Sequence, residues 1–419
     1  MRRFIQNKYL NHKETIVNFS WRSLQIFGKQ GVLFISMFIA AKFLEPVEFG
    51  KFAYITSIII FLATLCDFGV STSVSRYVSE YNIRNKKKLL NIIPSSLLLV
   101  SIISLIIYLL YFAFAKHVLG EYYSLMYYLL PIIFLIPATS IFDGFYRGLK
   151  KFKLVSIIML ITGLISLIIT YFLIKKYGIM GAIISQSILY FLIFLVFIIF
   201  TKISLKFDRK ILKKILSYSL FVGFTNMGTF LFNKSTQFLL GKFNFFIEAG
   251  YYEIILRIIQ IFVITFSILG QVIAVNNIVH KVRGEKNILI YKFRMGLMYS
   301  IIFGTFLSIF IYFFFPFLIQ KYLPQYNTSV FLLIFQISIF SLPFILAEAL
   351  LSNGFITPLG EIKVILVPVI AGSLVNIVVG FFLIRSGEYV FSFYLLTFLN
   401  IVVSLIKIFW FYQRIKYIH

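Results

Sequence analysis

Long apolar stretches recur along nearly the whole chain, and they constrain its fold more than any other feature. A helix needs about 20 apolar residues to cross a hydrocarbon layer of roughly 30 Å, and each stretch is about that long. The stretches lack the alternation of a barrel strand, and backbone polar groups cannot remain unpaired in lipid, so they must be helices. We therefore predict an all-α polytopic membrane protein. The twelve predicted spans are residues 17–40, 52–75, 90–115, 123–146, 152–175, 178–201, 213–240, 250–276, 292–318, 328–352, 362–385 and 388–412.

The distribution of Lys and Arg predicts the orientation of these spans. Of the 40 Lys and Arg residues, 27 fall in the termini and even-numbered connections and 8 in the odd-numbered connections, when the three residues at each end of a span are counted with the adjoining connection. Because cytoplasmic loops carry the excess of cations, both termini are predicted to be cytoplasmic. Topology thus explains most of the formal net charge of +26, and no nucleic acid partner is required. Residues 1–16 are basic and amphipathic, which predicts a retained segment lying on the anionic bilayer surface.

Cysteine and histidine usage argues against an enzyme. Cys66 is the only cysteine, which excludes a disulfide framework and a Cys-based metal site. The four histidines lie near ends and loops, with no acid, base or metal constellation around them. We therefore expect no catalytic site and no cofactor, with Na⁺ or H⁺ as the only candidate coupling ion.

Five cations lie more than three residues from either end of a predicted span. Each would cost about 2.5 to 3.5 kcal/mol if it faced lipid at the bilayer centre. They are therefore expected to face water or an anion. These cations are Arg22, Lys29, Lys234, Arg257 and Lys407.

The spans predicted at 17–40, 213–240 and 250–276 carry polar side chains at helical spacing, which places these side chains on one face of each helix. The alternative for Arg22, Lys234 and Arg257 is that each reaches a nearby span end, and Arg257 could also pair with Glu253 one turn away. Lys29 lies about twelve residues inside its span, roughly 18 Å, which is beyond that reach. It is thus the strongest candidate for a cavity-facing cation. The candidate substrate-binding residues are Arg22, Gln25, Lys29, Asn226, Asn233, Lys234, Arg257 and Gln260.

The acidic residues inside or near the spans could act as gates or couple transport to an ion. They could equally form structural pairs, as Asp143 does if it binds Arg147 one turn further along the chain. The sequence favours the structural alternative without excluding the other. The candidate residues are Asp67, Asp143, Arg147, Glu253 and Glu348.

An internal repeat suggests that the two halves are homologous. The segment KFLEPVEFG (42–50) aligns with KFNFFIEAG (242–250), with four of the nine residues identical. Six spans per repeat is an even number, so the copies are expected to lie parallel around a central cationic cavity. The predicted organisation is a cytoplasmic N-terminus (1–16), an N-lobe (17–201), an interfacial linker (202–212), a C-lobe (213–412) and a cytoplasmic C-terminus (413–419).

Two motifs, AKFLEPVEFGKFAY and CDFGVSTSVSRYVSE, follow each other along the first three spans. Further along the chain come the segments DGFYRGLKKFKLV (143–155), KYGIMGAIIS (176–185) and GYYEIILRI (250–258). In this order the motifs resemble those of bacterial oligosaccharide flippases of the multidrug, oligosaccharidyl-lipid and polysaccharide transporter superfamily, and the resemblance covers most of the chain. Glu45 and Lys42 depart from the family pattern at the outer end of the first span, away from the candidate cavity.

The resemblance implies a function in the bacterial inner membrane. A flippase of this kind moves a polyprenyl-pyrophosphate-linked oligosaccharide from the inner to the outer leaflet by alternating access, for O-antigen or other surface polysaccharide. The resemblance implies that Arg22, Lys29, Lys234 and Arg257 engage the pyrophosphate, and that other polysaccharide-assembly membrane proteins are partners. A multidrug antiporter of the same superfamily is the nearest alternative, although it needs deep carboxylates. A membrane glycosyltransferase or polymerase is the alternative from another class.

Overall fold

The computed structural model describes residues 2–84, 86–119, 123–202 and 206–415, without the side chains of residues 2–19, 83, 84, 86, 87, 115, 117–119, 221 and 275. Helices dominate this part of the chain, and no strand occurs within it. The helices are α1 (Arg2–Phe43), α2 (Pro46–Asp67), α3 (Val70–Arg84), α4 (Lys86–Leu89), α5 (Ile92–Leu119), α6 (Tyr123–Met126), α7 (Leu130–Gly148), α8 (Phe152–Phe200), α9 (Arg209–Lys242), α10 (Phe246–Val282), α11 (Lys286–Tyr322), α12 (Ser329–Ile339), α13 (Leu342–Leu351), α14 (Lys363–Arg385) and α15 (Tyr389–Ile415).

The apolar helices confirm the predicted membrane fold. Among the described residues, 10 helices are long and apolar enough to cross a membrane, or up to 11 if α12 and α13 form one bent span. The 49-residue helix α8 contains one non-helical residue, Gly178, with φ 55° and ψ −131°. An L side chain rarely adopts this conformation, so glycine allows the chain to start a new helical segment there. With α8 counted as two segments, the helices account for all twelve predicted spans.

Two predicted spans are broken helices. The span predicted at 52–75 is interrupted by Phe68 (φ 32°) and Gly69 (φ 81°) between α2 and α3. The Asp67 carboxylate accepts hydrogen bonds from the Ser71 amide (3.0 Å) and hydroxyl (2.9 Å), which stabilises the first turn of α3. The span predicted at 328–352 bends by 41° between α12 and α13. Pro343 lies in the first turn of α13, where its missing N–H is tolerated.

The chain forms two compact units with their own cores. Unit 1 comprises Met1–Phe43 and Ile55–Met227, and unit 2 comprises Leu44–Tyr54 and Gly228–His419. In unit 1 the side chains of α3, α5, α7 and α8 pack around Phe142 and Phe197. In unit 2 the side chains of α11, α13 and α15 pack around Phe293, Phe355 and Phe411.

The unit boundaries differ from the predicted lobe boundaries at two segments. Residues 44–54 belong to unit 2, although the sequence places them in the N-lobe, because α2 begins in close contact with α10. A Cβ atom on Gly50 would lie 1.7 Å from the Phe246 carbonyl oxygen. Residues 213–227 belong to unit 1, where Gly223 packs on the Phe68 ring.

The predicted linker and termini also differ in detail. Helix α9 begins inside the predicted linker, because the Asp208 carboxylate accepts hydrogen bonds from the Lys210 (2.8 Å) and Ile211 (3.2 Å) amides. Residues 203–205 of the linker lie outside the described residues. The backbone of 2–16 continues α1, while the predicted amphipathic face of this segment and residues 416–419 of the C-terminus lie outside the described part.

Candidate functional site

Unit 1 contains a polar cavity between α1, α7 and α8. Its volume is about 280 Å³. Its lining includes Arg22, Gln25 and Lys29, which the sequence places on one face of the first span, and the predicted acidic residue Asp143. The lining residues are Arg22, Gln25, Ile26, Lys29, Gln30, Thr139, Ser140, Asp143 and Met159.

A chain of hydrogen bonds joins α1 to α7 across this cavity. The Arg22 Nη1 donates to Gln25 Oε1 (2.7 Å), and Gln25 Nε2 donates to Asp143 Oδ1 (2.6 Å). Asp143 also forms ion pairs with Arg22 (3.7 Å) and with Arg147 (3.1 Å). One carboxylate therefore faces two guanidinium groups, so this group of residues keeps a net positive charge. The predicted pair of Asp143 with Arg147 is present, and Arg22 joins it.

Lys29 extends the positive charge of this cavity. It lies one turn beyond Gln25 on α1, where it lines the polar cavity and an adjoining small apolar pocket with Val32, Leu189 and Ile193. Within the described part of the chain, the Lys29 ammonium forms no hydrogen bond or ion pair. An ammonium group without a partner in a partly buried cavity is poorly solvated, so an anion would be held there strongly.

In unit 2, Lys234 and Arg257 are paired through one carboxylate. Glu253 accepts from Lys234 Nζ (2.5 Å), Arg257 Nε (2.7 Å) and Gln237 Nε2 (3.1 Å). The side chains of Lys234, Arg257 and Glu253 are 12%, 17% and 9% exposed. The ion-pair alternative for Arg257 therefore holds in this structure, and Lys234 shares it. Neither cation lines the cavity of unit 2 described next.

Unit 2 has its own cavity, with a volume of about 320 Å³. Of the predicted binding residues it contains Asn233 and Gln260, and of the predicted acidic residues it contains Glu348. Glu348 Oε1 accepts hydrogen bonds from Lys407 Nζ (3.0 Å) and from the Ser352 hydroxyl (2.8 Å). The polar lining residues are Thr229, Asn233, Tyr252, Gln260, Ser338, Ser341, Glu348, Thr397, Asn400, Ser404 and Lys407.

Two predicted site residues lie elsewhere. Asn226 is exposed on α9 and is not among the residues that line either cavity. Asp67 is used at the break between α2 and α3, as described above, which agrees with the structural alternative.

The sequence reasoning missed some cavity residues. The missed residues are uncharged, and they lie outside the polar helix faces that the sequence predicts. They are Thr139 and Ser140 in unit 1 and Asn400 in unit 2. The pair of Glu348 with Lys407 did leave a signal. Glu348 is the only charged residue of 328–352, and Lys407 is the only charged residue of 389–412. The two charges have opposite sign.

Comparisons with known proteins place this geometry in a wider context. Residues 16–275 match the model of a family described as polysaccharide biosynthesis protein. No curated protein sequence matches the chain.

Three solved structures share the fold. A multidrug resistance MATE family transporter of the MOP superfamily, in an inward-facing conformation, matches with a TM-score of 0.77 and 16% identity over 93% of this chain and 95% of that chain. The lipid II flippase MurJ, in an inward closed conformation, matches with a TM-score of 0.72 and 17% identity over 94% and 89%. A MOP superfamily transporter from Pyrococcus furiosus matches with a TM-score of 0.57 and 15% identity over 96% of each chain. The chain therefore has the fold of MOP superfamily transporters.

Proposed function

The chain belongs to the polysaccharide biosynthesis protein family, and from this premise we propose that it is a flippase for a lipid-linked glycan. Its substrate would be a polyprenyl-pyrophosphate-linked oligosaccharide, moved by alternating access from the inner to the outer leaflet of the bacterial inner membrane. The product would serve the synthesis of O-antigen or another surface polysaccharide. MurJ, a flippase for lipid II, has the same fold and supports this class of activity.

The observation that carries the proposal is the positive cavity of unit 1. A pyrophosphate diester carries about two negative charges, and charge-assisted hydrogen bonds to such oxygens are roughly twice as strong as neutral ones. Among the described residues, Lys29 is the cation there without a protein partner, while Arg22 and Arg147 share a single carboxylate. Attraction between charges is stronger in a partly buried site than in water, so the pyrophosphate is the part of the ligand that this cavity would hold.

The charge of this cavity argues against a multidrug antiporter. Such a protein needs a carboxylate able to attract an organic cation. In unit 1 the cavity carboxylate, Asp143, is already bound by Gln25 and paired with two arginines. Uptake of cationic dyes coupled to Na⁺ or H⁺ would favour the antiporter over the flippase.

The membrane potential supports the proposed direction of transport. Moving one negative charge outward across the full field of a membrane with a negative interior is favourable by about 2.3 kcal/mol per 100 mV. Export of an anionic headgroup is therefore downhill. Coupling to Na⁺ or H⁺, and cooperation with other polysaccharide-assembly membrane proteins, stay predictions.

Replacement of Lys29 tests the proposal directly. We expect Lys29→Ala to abolish surface polysaccharide in cells, because the pyrophosphate loses the ammonium group that would bind it, while Lys29→Arg retains most of it. Surface polysaccharide is measured by immunoblot or phage sensitivity, and the amount of protein in the membrane is measured in parallel. Lys42→Ala is the matched control, since Lys42 lies exposed near the end of the same helix. Full export by Lys29→Ala would contradict the proposal.

A further inference from the structure

The cavity of unit 2 differs in chemistry from that of unit 1. Its charged lining residues are Glu348 and Lys407, which neutralise each other at 3.0 Å. The other polar lining residues are amides and hydroxyls. The cavity thus carries no net charge, and a pyrophosphate placed there would meet a carboxylate. A ligand that suits this cavity is therefore neutral and polar.

Two carboxamides in this cavity are available for a ligand. Gln260 lies on α10 and Asn400 on α15, and both side chains are partly buried. Neither forms a hydrogen bond with another residue in the described ranges. A carboxamide both donates and accepts hydrogen bonds, and so does a hydroxyl group. A ligand with several hydroxyl groups can therefore satisfy both amides at once, as well as the second oxygen of Glu348.

Aromatic and aliphatic side chains supply the rest of the cavity wall. Tyr252 is held in place because its hydroxyl donates to the Asn233 carbonyl (2.8 Å) and its ring contacts Phe393 at 5.7 Å between centroids. Phe232 and Leu256 line the same space. A sugar ring matches such a wall, since it has hydroxyl groups around its edge and apolar C–H groups on its faces. The volume of about 320 Å³ lies within the range of roughly 300 to 1,000 Å³ of small-molecule sites.

We infer that the cavity of unit 2 binds an uncharged sugar residue through Gln260, Asn400 and the Glu348–Lys407 pair. The inference rests on the proposed function for the source of the sugar, which is the glycan of the lipid-linked ligand. The inference assigns recognition of the phosphates to the cavity of unit 1 and recognition of sugar hydroxyl groups to the cavity of unit 2. This site would then select among glycans, whereas the cavity of unit 1 would accept any lipid pyrophosphate.

Two probes test the inference on the purified full-length protein in nanodiscs. One probe is a polyprenyl pyrophosphate without sugar, and the other is the methyl glycoside of an uncharged N-acetylhexosamine, which carries no phosphate and no lipid. We expect the wild type to bind the glycoside, and the double variant Gln260→Ala/Asn400→Ala to bind it about tenfold more weakly, which corresponds to two net hydrogen bonds of about 0.7 kcal/mol each. The double variant should bind the lipid as the wild type does.

Matched variants separate this inference from the proposed function. Lys29→Gln should weaken binding of the lipid alone, and Gln320→Ala, which removes an exposed amide near the end of α11, should change the binding of neither probe. If the wild type binds the lipid but not the glycoside, the inference is overturned and the proposed function stands. That measurement uses no variant, so a folding defect cannot obscure it. Failure of both probes to bind overturns the proposed function and the inference together.

Discussion

At the scale of single residues, the interior cations fall into two kinds. Lys234 and Arg257 are bound to the same carboxylate of Glu253, and Lys407 is bound to Glu348. Lys29 has no such partner among the described residues. Paired cations can hold helices together, whereas a cation without a partner in a cavity is available to a ligand. For this reason the proposed function depends on Lys29 more than on the other interior cations.

The pairing of Glu253 makes a prediction about stability. Glu253→Gln leaves two cations in a site where they are at most 17% exposed, and removing one partner of a buried ion pair costs about 3 to 5 kcal/mol. We expect a clearly lower unfolding temperature for the purified protein in detergent. The double variant Glu253→Gln/Lys234→Met removes one stranded cation and should recover part of the loss. An unchanged unfolding temperature for Glu253→Gln would show that Lys234 and Arg257 are solvated.

At the scale of elements, the repeated motif explains an unusually close helix contact. Gly50 is the fifth residue of α2 and matches Gly250, the fifth residue of α10, in the repeat, and the two glycines lie against each other. A Cβ atom on Gly250 would lie 3.3 Å from the Gly50 Cα. The same residue type is required in both copies because the backbones approach within the space of a side chain.

Replacement of Gly50 tests this contact. We expect Gly50→Ala to destabilise the protein by about 1 to 3 kcal/mol, since the new methyl group would collide with the Phe246 carbonyl, which is backbone and cannot turn aside. Thermal unfolding in detergent measures the effect. Gly31→Ala in α1 is the control, because a Cβ atom there would meet nothing within 4 Å. This substitution should leave the unfolding temperature unchanged or raise it. Equal unfolding temperatures for the two variants would contradict the close contact.

At the scale of the whole molecule, the charge asymmetry of the connections predicts which ends face the cytoplasm. The single cysteine, Cys66, is fully buried, so the wild-type chain is a suitable background for cysteine labelling. Lys202 and Asn327 are exposed and lie in connections predicted to face opposite sides of the membrane.

We expect Asn327→Cys to react with an impermeant maleimide in intact cells, and Lys202→Cys to react only after the cells are permeabilised. Positive connections remain cytoplasmic during insertion, which is the physical reason for the difference. The wild type, with Cys66 alone, should stay unlabelled under both conditions. The reverse pattern would show that the termini lie outside.

The sequence predicted much of the helical architecture, because each feature it used is local. The length of the apolar stretches determined where membrane helices lie, and the spacing of Arg22, Gln25 and Lys29 placed them on one face of α1. The break inside α8, at Gly178, coincides with the predicted start of the span at 178–201. By contrast, the breaks at Phe68–Gly69 and between α12 and α13 were missed, since the sequence analysis treated residues 52–75 and 328–352 each as one continuous helix.

The partners of the charged residues could not be predicted in the same way. Gln25 binds Asp143 across 118 residues, Glu348 binds Lys407 across 59, and Lys234 binds Glu253 across 19. Each pair joins different helices, so no pattern within one helix reveals it. The grouping of residues 44–54 with unit 2 has the same origin, since it follows from the contact of Gly50 with α10.

The amino-acid sequence by itself determined that the chain is a bundle of membrane helices, because the hydrophobic effect and the need to pair backbone groups in lipid act on each segment separately. It also showed that several spans carry Lys or Arg residues away from their ends. Only the tertiary structure decided which of those cations are paired with a carboxylate and that Lys29, within the described ranges, is not. That outcome depends on which helix faces lie a few ångströms apart, and helix packing, rather than any property of a single segment, sets those distances.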